Sequence, residues 1–193
     1  MVKKIAKLKK VNPEKKLYDK IYADPAVHTE YGHTNHGKEW VDFVRTFEDE
    51  YPISWLDVGC GYNELIKSIR DRKSIFKIKD SWGIDFSCPG ADQNCDILDL
   101  PFPDKRWDFI TAFDVLEHFL PEQVSFALME MSRVSKRFAF TISFKEARLE
   151  IDGKNVHPTV WTSSAWTKEI EKASGSISYI SSPSEGFFIG KWK

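Results

Sequence analysis

Cysteine is scarce in this chain: three in 193 residues, Cys60, Cys88 and Cys95, with no Cys-x-x-Cys pair. An odd, scattered set argues against a disulfide framework and makes a reducing, cytoplasmic setting the default expectation. Long hydrophobic runs are missing as well. No stretch approaches the roughly 18 apolar residues of a membrane helix, so no membrane partner is expected. The first ten residues carry five lysines but no apolar core, which excludes a secretory signal there. Net charge of one sign is absent too: the formal value is −1, so the chain as a whole is no evident nucleic-acid binder.

What is present suffices for one real core, with 41% of residues hydrophobic. Aromatics reach 14%, with seven tryptophans, which permits an aromatic-lined pocket as well as aromatic packing. Residues 1–20 hold eight lysines against Glu14 and Asp19. They read as a solvated, partly frayed lead-in or, alternatively, as a basic arm that steers an anionic substrate. Residues 21–37 read as irregular. Trp40, Val41, Phe43, Val44 and Phe47 then recur at helical spacing, which predicts a helix over 38–50.

Strands are expected at 53–58, 81–85, near 94–96, at 107–113 and at 138–143. Helices are expected at 63–72, from Leu120 with Val124, Ala127, Leu128, Met131 and Val134 on its buried stripe, and at 164–173 with Gly175 as its stop. Residues 144–162 read as a polar, irregular connection, and strands at 176–182 and 186–191 close the chain as a hairpin. Strands alternating with helices predict an α/β fold: a Rossmann-like, seven-stranded, mostly parallel sheet with helices on both faces and a C-terminal antiparallel hairpin. The expected organisation is an N-terminal helical lid segment over 1–50, packed on a core domain over 51–193.

The chemistry concentrates where the first strand runs into Leu56-Asp57-Val58-Gly59-Cys60-Gly61. Two glycines there allow a sharp turn and close approach of backbone to a ligand, and the following helix start offers free N–H groups. Asp57 can fix this loop or reach a ligand ammonium through water. Asp85 ends the second strand, 24 residues beyond Gly61, where a carboxylate can accept both hydroxyls of a ribose. Phe86 can flank an adenine. Asp96 can accept from the adenine amine, while the Ile97 N–H serves the ring nitrogen. Each acid alone fits a turn or cap equally well; their spacing at three successive strand ends favours a nucleoside cofactor. The pattern Gly-x-Gly-x-x-Gly of dinucleotide sites fails, because no glycine follows Gly61 at the required offset.

With these residues in place, the chain resembles class I S-adenosylmethionine (SAM)-dependent methyltransferases of the small-molecule or glycan-modifying kind. Leu-Asp-Val-Gly-Cys-Gly (56–61) is similar to that family's first motif and Gly-Ile-Asp-Phe-Ser (83–87) to its second. Residues 95–110 resemble the adenine-binding turn and fourth strand, and Phe-Asp-Val-Leu-Glu-His-Phe (113–119) the segment beside the methyl group. The resemblance implies a sheet order of 3-2-1-4-5-7-6, SAM as cofactor, and contact of Asp57, Gly59, Cys60, Gly61, Asp85, Phe86, Asp96, Ile97 and Phe113 with it. Two departures stand out. Asn63 replaces the third glycine, and residues 86–93 are too few for the usual helix there.

The acceptor side is less specific. His118 and His157 are candidate bases, since an imidazole takes a proton near neutral pH. Tyr31, His33, His36 and Trp161 are candidate acceptor-binding residues; Trp161 with Trp166 fits a sugar-facing wall or, equally, an apolar staple at a helix entry. Asp114, Glu117, His118 and His157 are the one candidate metal set, and no metal is expected because neighbouring residues rarely face one ion. No Asp/Asn-Pro-Pro-Tyr/Phe or Pro-Cys sequence occurs, which argues against amino-methylation of adenine or glutamine and against a cytosine-attacking thiol. The expected reaction is methyl transfer to O or N of a small polar molecule or glycan. RNA methylation and SAM binding without catalysis are the alternatives.

Overall fold

The computed structural model describes residues 15–24, 54–71, 78–181 and 185–193. The helix expected over 38–50, and Tyr31, His33 and His36, lie outside the described residues.

Among the described residues, helix α1 (Lys15–Ala23) comes first. Instead of fraying, it buries Ile21 completely. The core follows as β1 (Ser54–Val58), α2 (Glu64–Asp71), β2 (Asp80–Asp85), β3 (Gln93–Asn94), β4 (Trp107–Phe113), α3 (Pro121–Val134), β5 (Ser135–Ser143), β6 (Glu150–Ile151), β7 (Lys154–Asn155), α4 (Ser163–Lys172), β8 (Gly175–Ser181) and β9 (Glu185–Trp192). The sheet order is β3-β2-β1-β4-β5-β9-β8. With the small β6–β7 pair set aside, this is the expected 3-2-1-4-5-7-6. Strands β1 to β5 run parallel, and β9 inserts antiparallel beside β5.

All five residues of β1 are buried, as a central parallel strand covered on both faces requires. Its side chains divide between two cores. Leu56 and Val58 join the stripe of α3 and the inner face of α4, while Trp55 packs with Leu65, Ile66 and Ile69 of α2. Helix α3 starts with Pro121 in its first turn, and the Gln123 side chain accepts the Leu120 N–H at 3.0 Å. It runs straight into β5, which begins three residues earlier than expected because Ser135 already pairs with Trp107.

Two local expectations need correction. The 144–162 connection contains the β6–β7 hairpin, turned by Asp152 and Gly153, both at positive φ (52° and 71°). Asp-Gly is a strong two-residue hairpin signal, but it is flanked by strands too short to show alternation. At the end of α4 the left-handed residue is Ser174 (φ 71°), not Gly175, which opens β8. Among the described residues, no helix is long and apolar enough to cross a membrane.

Candidate active site

The C-terminal ends of β1, β2 and β3 bring the glycine turn and three carboxylates to one edge of the sheet. Gly59 takes φ 67°, and a Cβ there would lie 2.5 Å from Val115 Cγ2, so both backbone conformation and space demand glycine. Asn63, in place of a third glycine, also sits left-handed at φ 65°. Residues 86–92 form turns rather than a helix, as their number requires.

Asp85 is buried and ties the turn together. Its Oδ2 accepts the Gly61 N–H at 3.1 Å, and its Oδ1 accepts those of Ser87 (3.0 Å) and Cys88 (2.9 Å). Helix α1 lies over this point: Tyr22 donates its hydroxyl to Asp85 Oδ2 at 3.4 Å, and Ser87 Oγ donates to Asp19 at 2.6 Å. Tyr18 meets Phe86 edge-to-face, with Lys15 Nζ 5.6 Å from the same ring. Asp96 caps a short 3-10 turn over Ile97–Asp99 by accepting the Leu98 N–H at 2.9 Å, and Ile97 is buried. Phe113 ends β4 half-buried, on the Trp55 side of the sheet.

Asp57 is buried at the end of β1 and accepts a 2.6 Å hydrogen bond from Thr111 Oγ1. Burial raises its pKa to about 7; Thr111 pulls the other way and the Asp85 charge adds to the rise. The unfolded chain releases this proton near pH ~4. The folded state therefore binds the extra proton between those values, and stability falls as pH rises across the window. Asp57→Asn is expected to flatten that fall by an order of a few kcal/mol, read as the difference in urea midpoints at pH 4.5 and 7 between the two proteins. Burial, then Asp57 and Asp85, push the half-buried Cys60 thiol far up, which leaves it an inert loop residue.

Two residues 39 positions apart in sequence meet beyond the end of β4. The rings of His118 and His157 lie 4.6 Å apart, edge-to-face. His118 Nδ1 is 2.7 Å from Val156 O, and His157 Nδ1 is 2.8 Å from Lys145 O. A carbonyl only accepts, so both rings carry the Nδ1 proton. Burial, then the neighbouring His157, hold His118 down to about 3. Glu117 is fully buried, and its Oε1 accepts the Ser143 N–H at 2.7 Å. Among the described residues, no three His, Cys, Asp or Glu side chains group as a metal site.

Trp161 packs on Trp166 (4.8 Å between rings). With Thr162 capping α4, this pair is the staple reading of the sequence. Sequence reasoning missed Thr111, Trp55, Tyr18, Tyr22 and Gly83. Only Gly83 carried a signal, inside the second motif.

A family model described as a methyltransferase domain matches residues 31–138. The chain belongs to this family. Solved structures with the same fold include the Burkholderia thailandensis 1,6-didemethyltoxoflavin-N1-methyltransferase with bound S-adenosylhomocysteine, at 14% identity and TM-score 0.67 over 93% of this chain and 87% of that one. The Synechocystis magnesium protoporphyrin IX methyltransferase, also with the demethylated cofactor, matches at 15% and 0.60 over 84% of each chain. A SAM-dependent methyltransferase of Clostridium acetobutylicum matches at 15% and 0.62 over 80% of this chain and 91% of that one. No curated protein sequence matches the chain.

Proposed function

We propose that this methyltransferase uses SAM to methylate oxygen or nitrogen of a small polar molecule or glycan in the cytoplasm. The observation that carries the reading is the alignment of Asp57, the Gly59 turn, Asp85 and Asp96 along three adjacent strand ends. This donor set fits the cofactor. Asp57 is buried with no cation pairing it among the described residues, which suits an ammonium. Asp85 suits a ribose hydroxyl at Oδ2, where it would displace the long 3.4 Å Tyr22 bond, and Asp96 with the Ile97 N–H suits an adenine edge, with Phe86 alongside. When bound, SAM supplies an electrophilic methyl on a good leaving group, so positioning carries much of the rate.

The chain's own residues do the rest. His157 keeps its proton on Nδ1 through Lys145 O, which leaves the Nε2 lone pair to take a proton from an acceptor hydroxyl or amine. His118, held neutral, packs against His157 and Tyr18 and supports that ring. Segment 1–50 serves as the lid in this reading, and Tyr31, His33, His36 and Trp161 are its acceptor-binding residues.

Calorimetric titration with S-adenosylhomocysteine tests the cofactor: micromolar or tighter binding is expected, and none would end the reading. His157→Ala is expected to lower kcat about 100-fold or more, with homocysteine-nucleoside affinity unchanged. A kcat within twofold of the parent would remove the base assignment.

A further inference from the structure

A buried relay stands behind Asp57. Trp55 Nε1 donates to Thr111 Oγ1 at 3.0 Å, and Thr111 Oγ1 donates to Asp57 Oδ1 at 2.6 Å. Trp55, Thr111 and Asp57 are 2%, 0% and 5% exposed, so water does not compete for these bonds. The direction is fixed by proton count. The indole N–H is a donor only, so Thr111 spends a lone pair on it. Thr111 has one proton, and Leu56 O at 3.5 Å is much the poorer acceptor. The hydroxyl therefore points at the carboxylate. Strand register holds the relay: Trp55 and Asp57 project from one side of β1, and Thr111 is the β4 partner of Asp57.

We propose that Thr111 and Trp55 are positioning residues for the cofactor: by holding Asp57 Oδ1, they aim the remaining carboxylate oxygen, Oδ2, at the ammonium of the cofactor's amino-acid end. This rests on the cofactor reading above. Among the described residues, Oδ2 makes no hydrogen bond. The charged and titratable groups facing Asp57 are the Asp85 carboxylate from β2 and the Cys60 thiol from the glycine turn. Neither is a cation, so the ammonium is the charge the arrangement lacks. The Thr111 bond also favours the ionised carboxylate, the form that binds an ammonium.

Two ligands separate this role from a merely structural one. S-adenosylhomocysteine carries the ammonium; 5′-methylthioadenosine has the same nucleoside and sulfur but no amino-acid end. Calorimetry on the parent chain, Thr111→Val and Thr111→Ser reads both. Thr111→Val is expected to weaken S-adenosylhomocysteine about tenfold and 5′-methylthioadenosine less than twofold, since only a hydrogen bond to a charged group is altered. Thr111→Ser is expected to restore the parent values. The pH at half-maximal S-adenosylhomocysteine affinity is expected to move upward in Thr111→Val, because the lost bond had favoured ionisation. Trp55→Phe, which removes only the indole donor, is expected to weaken S-adenosylhomocysteine alone by about threefold, and it decides the matter if Thr111→Val does not fold. Equal loss of both ligands, or loss of neither, overturns the proposal. Parent protein that binds 5′-methylthioadenosine no more weakly than S-adenosylhomocysteine overturns the positioning role while leaving the nucleoside site intact. Parent protein that binds neither overturns the cofactor reading and this inference with it.

Discussion

Asp85→Ala is expected to lose S-adenosylhomocysteine affinity by about 10- to 100-fold and to melt about 6–12 °C below the parent. Two separate consequences are combined here. The carboxylate is the acceptor the ribose would use, and charge-assisted bonds of that kind are worth about 1–3 kcal/mol. It is also the acceptor that Gly61, Ser87 and Cys88 use now. Alanine leaves those N–H groups without their partner at a position where the Gly61 and Cys88 bonds are buried, at a cost of about 3 kcal/mol of folding stability. Calorimetry and a thermal melt read the two parts independently. A variant that melts low yet binds normally would leave Asp85 as a loop tie and remove it from the cofactor site.

Gly83→Ala is expected to cost about 3 kcal/mol or more. A Cβ on Gly83 would lie 1.9 Å from Asn63 Oδ1, 2.6 Å from its Cγ and 3.0 Å from Cys60 Cβ. Asn63 is only 2% exposed and cannot swing into solvent. Its own backbone is pinned, since its N–H donates to Cys60 O at 2.8 Å. The neighbouring Gly83 N–H is anchored as well, donating to Asp92 Oδ2 at 2.8 Å, and Asp92 is itself gripped by Arg70. The overlap therefore has to be relieved by moving the glycine turn. Gly83→Ala/Asn63→Gly is expected to recover most of the loss, because glycine accepts the left-handed backbone of residue 63 and removes the colliding amide. Urea unfolding of the two single variants and the double variant gives the coupling directly. Additive losses would show that the Asn63 amide is not what glycine at 83 makes room for.

The strands and the acids at the sheet's edge were readable because each is a local pattern, whereas the order of the strands came from the family resemblance alone. An apolar run marks β1, a glycine pair ends it, and an acid closes β2. The stripe of α3 emerged at its full length for the same reason, since helical spacing alone decides which side chains are buried. Expectations failed where the deciding partner was distant or the element short. The β6–β7 hairpin has two-residue strands, too few to alternate. The lysine-rich segment read both as a frayed lead-in and as part of a helical lid; residues 15–23 are helix α1, held by Ile21 and by contacts to Ser87 and Asp152. Nothing within nine residues announces such partners.

By itself, then, the sequence determined the parallel sheet, the glycine turn and the row of carboxylates, because spacing along one strand or helix fixes which way a side chain points. Tertiary structure alone decided that His157 meets His118, that α1 covers Asp85, and that Trp55 and Thr111 stand behind Asp57. Those are contacts between elements. They arise from the register of neighbouring strands and the packing of a helix across their ends, which no stretch of chain encodes alone.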